Sequence, residues 1–82
     1  MTLSSAQKDE VVRLVKHVLD LGSGDVLDPD ADLETAYDAD SLARVEIVTA
    51  LEDNFNVVID IDHISTMTSL AEVIKLVESL VK

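Results

Sequence analysis

Residues 38–55 carry the feature that most limits how this chain can fold: an acidic stretch ends there and an apolar stripe of helical period begins. Asp40 and Ser41 stand at the junction, and both residue types favour a helix N-cap because their oxygens accept hydrogen bonds from unpaired backbone N–H groups. At about 100° of rotation per residue, one side of the following segment collects four apolar residues: Ile47, Val48, Leu51 and Phe55. The sequence therefore predicts a helix at about 41–55 that begins at Ser41 and buries this side.

The beginning of the chain also has a helical pattern. Ser4 and Gln7 stand at the spacing of a capping box. Apolar residues then recur at helical spacing from Val11 onward. This pattern predicts a helix at about 5–21, with Gly22 as its stop because Gly tolerates the left-handed backbone at a helix end.

The end of the chain repeats this arrangement. Ser69 and Glu72 stand at capping-box spacing and predict a last helix at about 70–81. Before it, residues 57–61 favour a strand by propensity. Since a lone strand has no partner, we expect an extended connector instead.

Residues 22–40 have no sustained period, which predicts a long loop, and long loops in small domains tend to be functional. Four residues are the expected anchors of this loop in the core: Val26, Leu27, Leu33 and Tyr37. Three acids alternate as they do in a calcium-binding loop: Asp28, Asp30 and Asp32. The EF-hand pattern fails, however, because Leu33 stands in place of the required Gly and Ala39 in place of the bidentate Glu. We expect no dedicated metal site.

The composition fits one small domain, residues 1–82. Its hydrophobic content of 48% is aliphatic, since Tyr37 and Phe55 are the only aromatic residues. No cysteine is present, which excludes disulfides and thiolate metal sites. No apolar run approaches the roughly 18 residues of a membrane span, and the first residues do not resemble a signal peptide. We therefore expect a soluble cytoplasmic monomer without a membrane partner.

The net charge of -11 is unevenly distributed, because Arg44 is the only Lys or Arg between Asp20 and Asp62. Nucleic acids are bound by neutralising phosphates with Lys and Arg, so this charge excludes a nucleic-acid partner. It attracts proteins with basic patches and speeds their encounter.

Several motifs resemble those of the acyl carrier protein family. They are the Asp-Ser-Leu triplet at 40–42, the Val-Glu-Ile-Val step at 45–48, the Leu-Glu-Asp-x-Phe end of the same helix and the later Ser69-Leu70. The resemblance runs without a gap over residues 33–77 and implies an all-α, small four-helix bundle. Three of its helices are longer, and a short one lies at about 61–66 with Ile64 and Met67 directed inward. The long loop separates the first two helices.

The resemblance also implies a function. Ser41 would carry a 4'-phosphopantetheine arm, transferred from coenzyme A by a phosphopantetheinyl transferase. The arm's thiol would hold acyl groups as thioesters, and the protein would have no catalytic residues of its own. Further partners would be acyltransferases or ligases, ketosynthases and other acyl-processing enzymes with basic docking patches.

The side of the 41–55 helix opposite the apolar stripe is acidic but contains two aliphatic residues, which suggests a docking face. The resemblance assigns partner contact to seven positions at this end of the domain: Asp40, Leu42, Val45, Glu46, Thr49, Glu52 and Asp53.

The sequence departs from the family at positions that partners would read. Asp38 stands where the family usually has Gly, although Asp tolerates a left-handed backbone better than most residues. Arg44 brings a cation near the arm, with Asp38 or Glu34 as its expected partner. These departures favour polyketide or other natural-product assembly over housekeeping fatty-acid synthesis.

The sequence is also compatible with three other functions. The closest alternative is an aminoacyl or peptidyl carrier of a nonribosomal pathway. A serine hydrolase would need His17 or His63 as its base, and neither lies in a recognisable motif. An unmodified acidic adaptor or calcium buffer is the third alternative.

The acidic segment from Asp20 to Asp62 should repel itself in the folded state, so added salt should stabilise the protein. Salt screens such repulsion, with a Debye length of about 10 Å at 0.1 M. Thermal melts from low to moderate salt, and with millimolar divalent ions, should show a rising Tm without stoichiometric ion binding. A Tm that stays flat over this range would contradict the expectation.

Overall fold

The computed structural model describes residues 3–22 and 24–81. Its helices are α1 (Ser5–Val18), α2 (Leu33–Tyr37), α3 (Ser41–Phe55), a 3₁₀ helix (Ile61–Thr66) and α4 (Leu70–Leu80). The described residues contain no strand, so the prediction of an all-α fold is confirmed. The predicted bounds of α3 and of the short 3₁₀ helix agree with the structure.

The capping box predicted at the start of α1 is present. The Gln7 N–H donates to Ser4 Oγ at 3.1 Å, and the Ser4 N–H donates to Gln7 Oε1 at 2.9 Å. At α4 the box is half formed, because Ser69 Oγ accepts from the Glu72 N–H while the Glu72 carboxylate lies 3.5 Å from Lys75 Nζ.

The predicted end of α1 is wrong. The helix ends at Val18, and the left-handed residue is Asp20, with φ of 59°, not Gly22. The Leu21 N–H then donates to the Lys16 carbonyl at 2.9 Å, which is the hydrogen bond of a Schellman motif. The earlier turn lets Leu21 pack against the core.

The predicted loop between α1 and α3 contains α2, which the sequence pattern did not reveal because a helix of five residues is too short for a period. Asp32 caps this helix, and its Oδ1 accepts from the Glu34 and Thr35 N–H groups at 2.9 and 3.1 Å. Asp38 ends it in the left-handed conformation, with φ of 60°.

Three of the four expected loop anchors reach the core. Leu27 and Leu33 are buried, and Tyr37 is half-buried with its hydroxyl oxygen accepting from the Asp28 N–H at 2.8 Å. The expectation for Val26 is wrong, because this residue is 86% exposed. It lies just before the buried Leu27, and in an extended segment neighbouring side chains point to opposite sides.

The core lies where α1 contacts α3 and α4, with the 3₁₀ helix packed against α3 and α4. The predicted buried side of α3 is confirmed for Ile47, Val48 and Leu51. Phe55 is only partly buried at the end of that side. Met67 and Ile64 were both predicted to point into the core. Met67 is buried, and Ile64 is partly buried against the core.

Leu51→Ala should lower the free energy of unfolding by about 2–5 kcal/mol, because it leaves a cavity at a fully buried position. Phe55→Ala should cost less than the about 3–5 kcal/mol expected for a fully buried Phe. Val26→Ala is the matched exposed control and should change little. Denaturant unfolding measures all three, and a larger cost for Val26→Ala than for Leu51→Ala would contradict the described packing.

Candidate functional site

Ser41 is the first residue of α3, and it does not cap that helix. Asp40 is the N-cap, and its Oδ1 accepts from the Ala43 N–H at 2.9 Å. The Ser41 side chain is exposed and makes no hydrogen bond to any residue that the structure describes. The hydroxyl of Ser41 is therefore available for chemistry at the surface.

The two residues before Asp40 hold this junction in place. Ala39 is fully buried, and its N–H donates to the Leu33 carbonyl at 3.0 Å. Asp38 adopts the left-handed backbone at φ 60°. The turn therefore forms with Asp at this position, as the sequence predicted.

Arg44 lies one turn into α3 and pairs with α2. Its Nη2 donates to Glu34 Oε2 at 2.5 Å. Of the two acids predicted as partners of Arg44, Glu34 is therefore the one that binds it. The Arg44 side chain is only 17% exposed. Its Nε is buried and has no hydrogen-bond partner among the described residues.

The predicted docking positions share one surface of α3. Leu42 is 65% and Val45 44% exposed, which is high for aliphatic residues. Three polar residues are exposed beside them: Glu46, Thr49 and Asp53. We call these five residues the docking face, after the role that is proposed for them below.

The remaining two predicted docking positions have structural roles. Asp40 caps α3. Glu52 is half-buried, and its Oε2 accepts from the Ile59 N–H at 2.8 Å, which fastens the connector after α3 to the helix.

Sequence reasoning missed two exposed aliphatic residues on that connector. Val58, just before the buried Ile59, and Ile61, the first residue of the 3₁₀ helix, are each 79% exposed. Alternation along an extended segment could have indicated Val58, because it turns Ile59 inward and its direct neighbours outward. The same alternation would place Ile61 on the side of Ile59, so the exposure of Ile61 depends on the helix that starts there.

The acids of the loop are engaged with the backbone. Asp28 Oδ1 accepts from the Asp30 N–H at 3.0 Å, and Asp32 caps α2. Within residues 3–22 and 24–81, no group of three or more His, Asp or Glu is arranged to hold a metal ion. No helix in the same ranges is long and apolar enough to cross a membrane.

An anionic group attached to Ser41 would fit this site. The serine stands at the N-terminus of a helix of 15 residues, where unpaired N–H groups and the helix dipole favour negative charge. A guanidinium lies one turn further along the helix.

Comparison with known proteins agrees with this geometry. A family model described as "Phosphopantetheine attachment site" matches residues 9–77. The chain is 35% identical over 78 residues to "Polyketide-8 synthase acyl carrier protein 2" of Streptomyces avermitilis, which covers 95% of this chain and 88% of that protein.

Two plant proteins are similar to the same degree. Identity is 34% over 83 residues with "Acyl carrier protein 1, chloroplastic" of Spinacia oleracea, covering 98% of this chain and 59% of that protein. It is 35% over 86 residues with "Acyl carrier protein 4, chloroplastic" of Arabidopsis thaliana, covering 100% of this chain and 62% of that protein. The chain thus spans about three fifths of the length of these plant relatives.

The chain belongs to the acyl carrier protein family. This family carries phosphopantetheine and has no catalytic activity of its own. It works with a phosphopantetheinyl transferase and with enzymes that process acyl groups.

Proposed function

We propose that Ser41 is the phosphopantetheine attachment residue and that the chain carries acyl intermediates in polyketide or related natural-product assembly. The assignment of Ser41 rests on the different roles of Asp40 and Ser41 at the start of α3. Because Asp40 supplies the cap, the exposed Ser41 hydroxyl is free to be esterified without unmaking the helix.

The residues around Ser41 have defined tasks in this function. Asp40 keeps the helix start formed, and the buried Ala39 keeps Ser41 at the surface. The bound arm supplies a terminal thiol that holds acyl groups as thioesters. The carrier contributes positioning and a high effective concentration of the acyl group.

The choice of pathway rests on two supports. The similarity to the Streptomyces avermitilis polyketide carrier extends over 88% of that protein. In addition, Arg44 and Asp38 change the surface next to Ser41 from the pattern expected of fatty-acid carriers. A panel of acyltransferases and ligases of both pathway types, followed by weighing of the loaded carrier, tests this choice.

Modification with coenzyme A and a broad-range transferase should add one phosphopantetheine, at Ser41. Ser41→Ala should remain folded, because the cap is supplied by Asp40, and should gain no mass. Intact mass and a thermal melt of both proteins check this prediction. A full mass gain in Ser41→Ala would remove the assignment.

We propose further that partner enzymes approach the docking face. Leu42 and Val45 offer apolar contact, and Glu46 and Asp53 surround them with negative charge. A partner surface of matching chemistry is basic with an apolar centre. Exposed charge pairs contribute only about 0–1 kcal/mol each, so their main effect falls on the association rate.

Glu46→Lys should slow modification by the transferase or transfer of the acyl group at low salt, while Tm stays nearly constant. The matched control is Asp9→Lys on α1, an exposed acid for which the structure gives no side-chain hydrogen bond to the described residues. Asp9 is a better control than an acid on α4 such as Glu78, whose carboxylate accepts from the Leu3 N–H at 3.2 Å.

Stopped-flow or quenched-flow rates at several salt concentrations provide the measurement. Raising the salt should bring the rates of wild type and Glu46→Lys closer together, because salt screens the attraction between the acidic surface and a basic partner. Equal rates for Glu46→Lys and Asp9→Lys at low salt, with the transferase and with every cognate enzyme, would show that α3 is not the docking surface.

A further inference from the structure

The two arginines of the chain are paired differently. On α1, both Nε and Nη2 of Arg13 donate to Glu10 Oε1. Arg44 uses only Nη2, toward Glu34, and its Nε is buried without a partner in the described part of the chain. A guanidinium has five N–H donors, and within the described residues Arg44 uses one of them, so it can bind a second acceptor.

Arg44 lies next to Ser41 on the helix surface. Residues three apart on a helix are neighbours, with Cβ atoms about 5–6 Å apart. Long side chains on a helix also lean toward its N-terminus, over the preceding turn. By this tendency the Arg44 side chain extends over the turn that Ser41 opens, and its Nη2 reaches Glu34 on α2.

The charges around Ser41 leave Arg44 as the available cation. Asp38 and Asp40 precede the serine and Glu46 follows it, and all three are exposed. Arg44 is the only Lys or Arg between residues 20 and 62 of the sequence. Within this part of the sequence, Arg44 is therefore the one Lys or Arg that could balance the charge of a phosphodiester on Ser41.

We propose that Arg44 is a positioning residue that binds the phosphate of the arm on Ser41 and shares its guanidinium between that phosphate and Glu34. This inference rests on the proposed attachment at Ser41. Guanidinium groups suit the task because their planar fork of donors matches phosphate oxygens.

The position of Arg44 also sets a direction. At about 100° per residue, Arg44 lies on the opposite side of Ser41 from Leu42, and its pair with Glu34 ties it to α2. Arg44 therefore holds the root of the arm on the α2 side. The docking face stays open to a partner while the arm is anchored.

The first test is spectroscopic and uses the wild-type protein. Because the sequence has only Arg13 and Arg44, two arginine Nε–H signals are expected in a ¹H–¹⁵N spectrum, and Arg44→Lys assigns them. Modification at Ser41 should shift the Arg44 Nε–H signal, because the guanidinium gains a second acceptor. Arg13 is the internal control and should not move. An Arg44 signal that stays in place on modification would overturn the proposal.

The second test compares Tm of the unmodified and modified forms of each variant. In wild type, modification should raise Tm by about 4–8 °C, the shift that one ordinary hydrogen bond causes at this chain length. Modification should raise the Tm of Glu34→Gln by more than that of wild type, because the phosphate then replaces the lost partner of Arg44. It should not raise the Tm of Arg44→Gln, and it should raise the Tm of Arg13→Gln as much as that of wild type.

The outcomes separate the possible roles of Arg44. If Arg44 only fastens α2 to α3, Glu34→Gln and Arg44→Gln should melt alike in both forms, and modification should rescue neither. The same Tm change on modification in wild type and Arg44→Gln would likewise overturn the proposal. Should Arg44→Gln fail to fold, Arg44→Lys replaces it, and it should keep only part of the gain. Absence of a mass gain at Ser41 would instead refute the attachment assignment.

Discussion

The placement of Leu33 is the constraint on which the site depends. Its side chain is fully buried, its N–H donates to the Thr68 carbonyl at 2.8 Å, and its carbonyl accepts from the Ala39 N–H at 3.0 Å. These bonds tie α2 at once to the segment before α4 and to the start of α3. Ser41 is therefore held by backbone hydrogen bonds centred on the buried Leu33, although it lies at the end of a long connection that is mostly exposed.

Much of the fold could be predicted because the long helices have clear periods and caps. The bounds of α3 and the burial of Ile47 and Leu51 followed from the sequence. What failed depended on tertiary context. The five residues of α2 have no period to detect, and Asp20 rather than Gly22 turns the chain because Leu21 must pack against the core.

For the candidate site, the sequence predicted which residues cluster but not how their tasks divide. Asp40 and Ser41 are both good caps, and only the structure shows that Asp40 takes that role. The family resemblance grouped Glu52 with the docking acids, yet its carboxylate accepts a hydrogen bond from the Ile59 N–H. The acids in this region therefore divide into two groups: Asp40 and Glu52 bind backbone N–H groups, whereas Glu46 and Asp53 are exposed.

Some of the residues at the helix ends are unfavourable for folding. Asp20, Asp38 and Asn56 all have positive φ, a conformation that Gly adopts without strain. An Asp there also sets negative charge against the negative end of the helix dipole. Glycine at the two aspartate positions would relieve the backbone strain and remove the charge from the helix end. Two of the acids that make up the negative field therefore stand where they oppose folding, so the long-range attraction of the basic partners proposed above would be obtained at a cost in thermal stability.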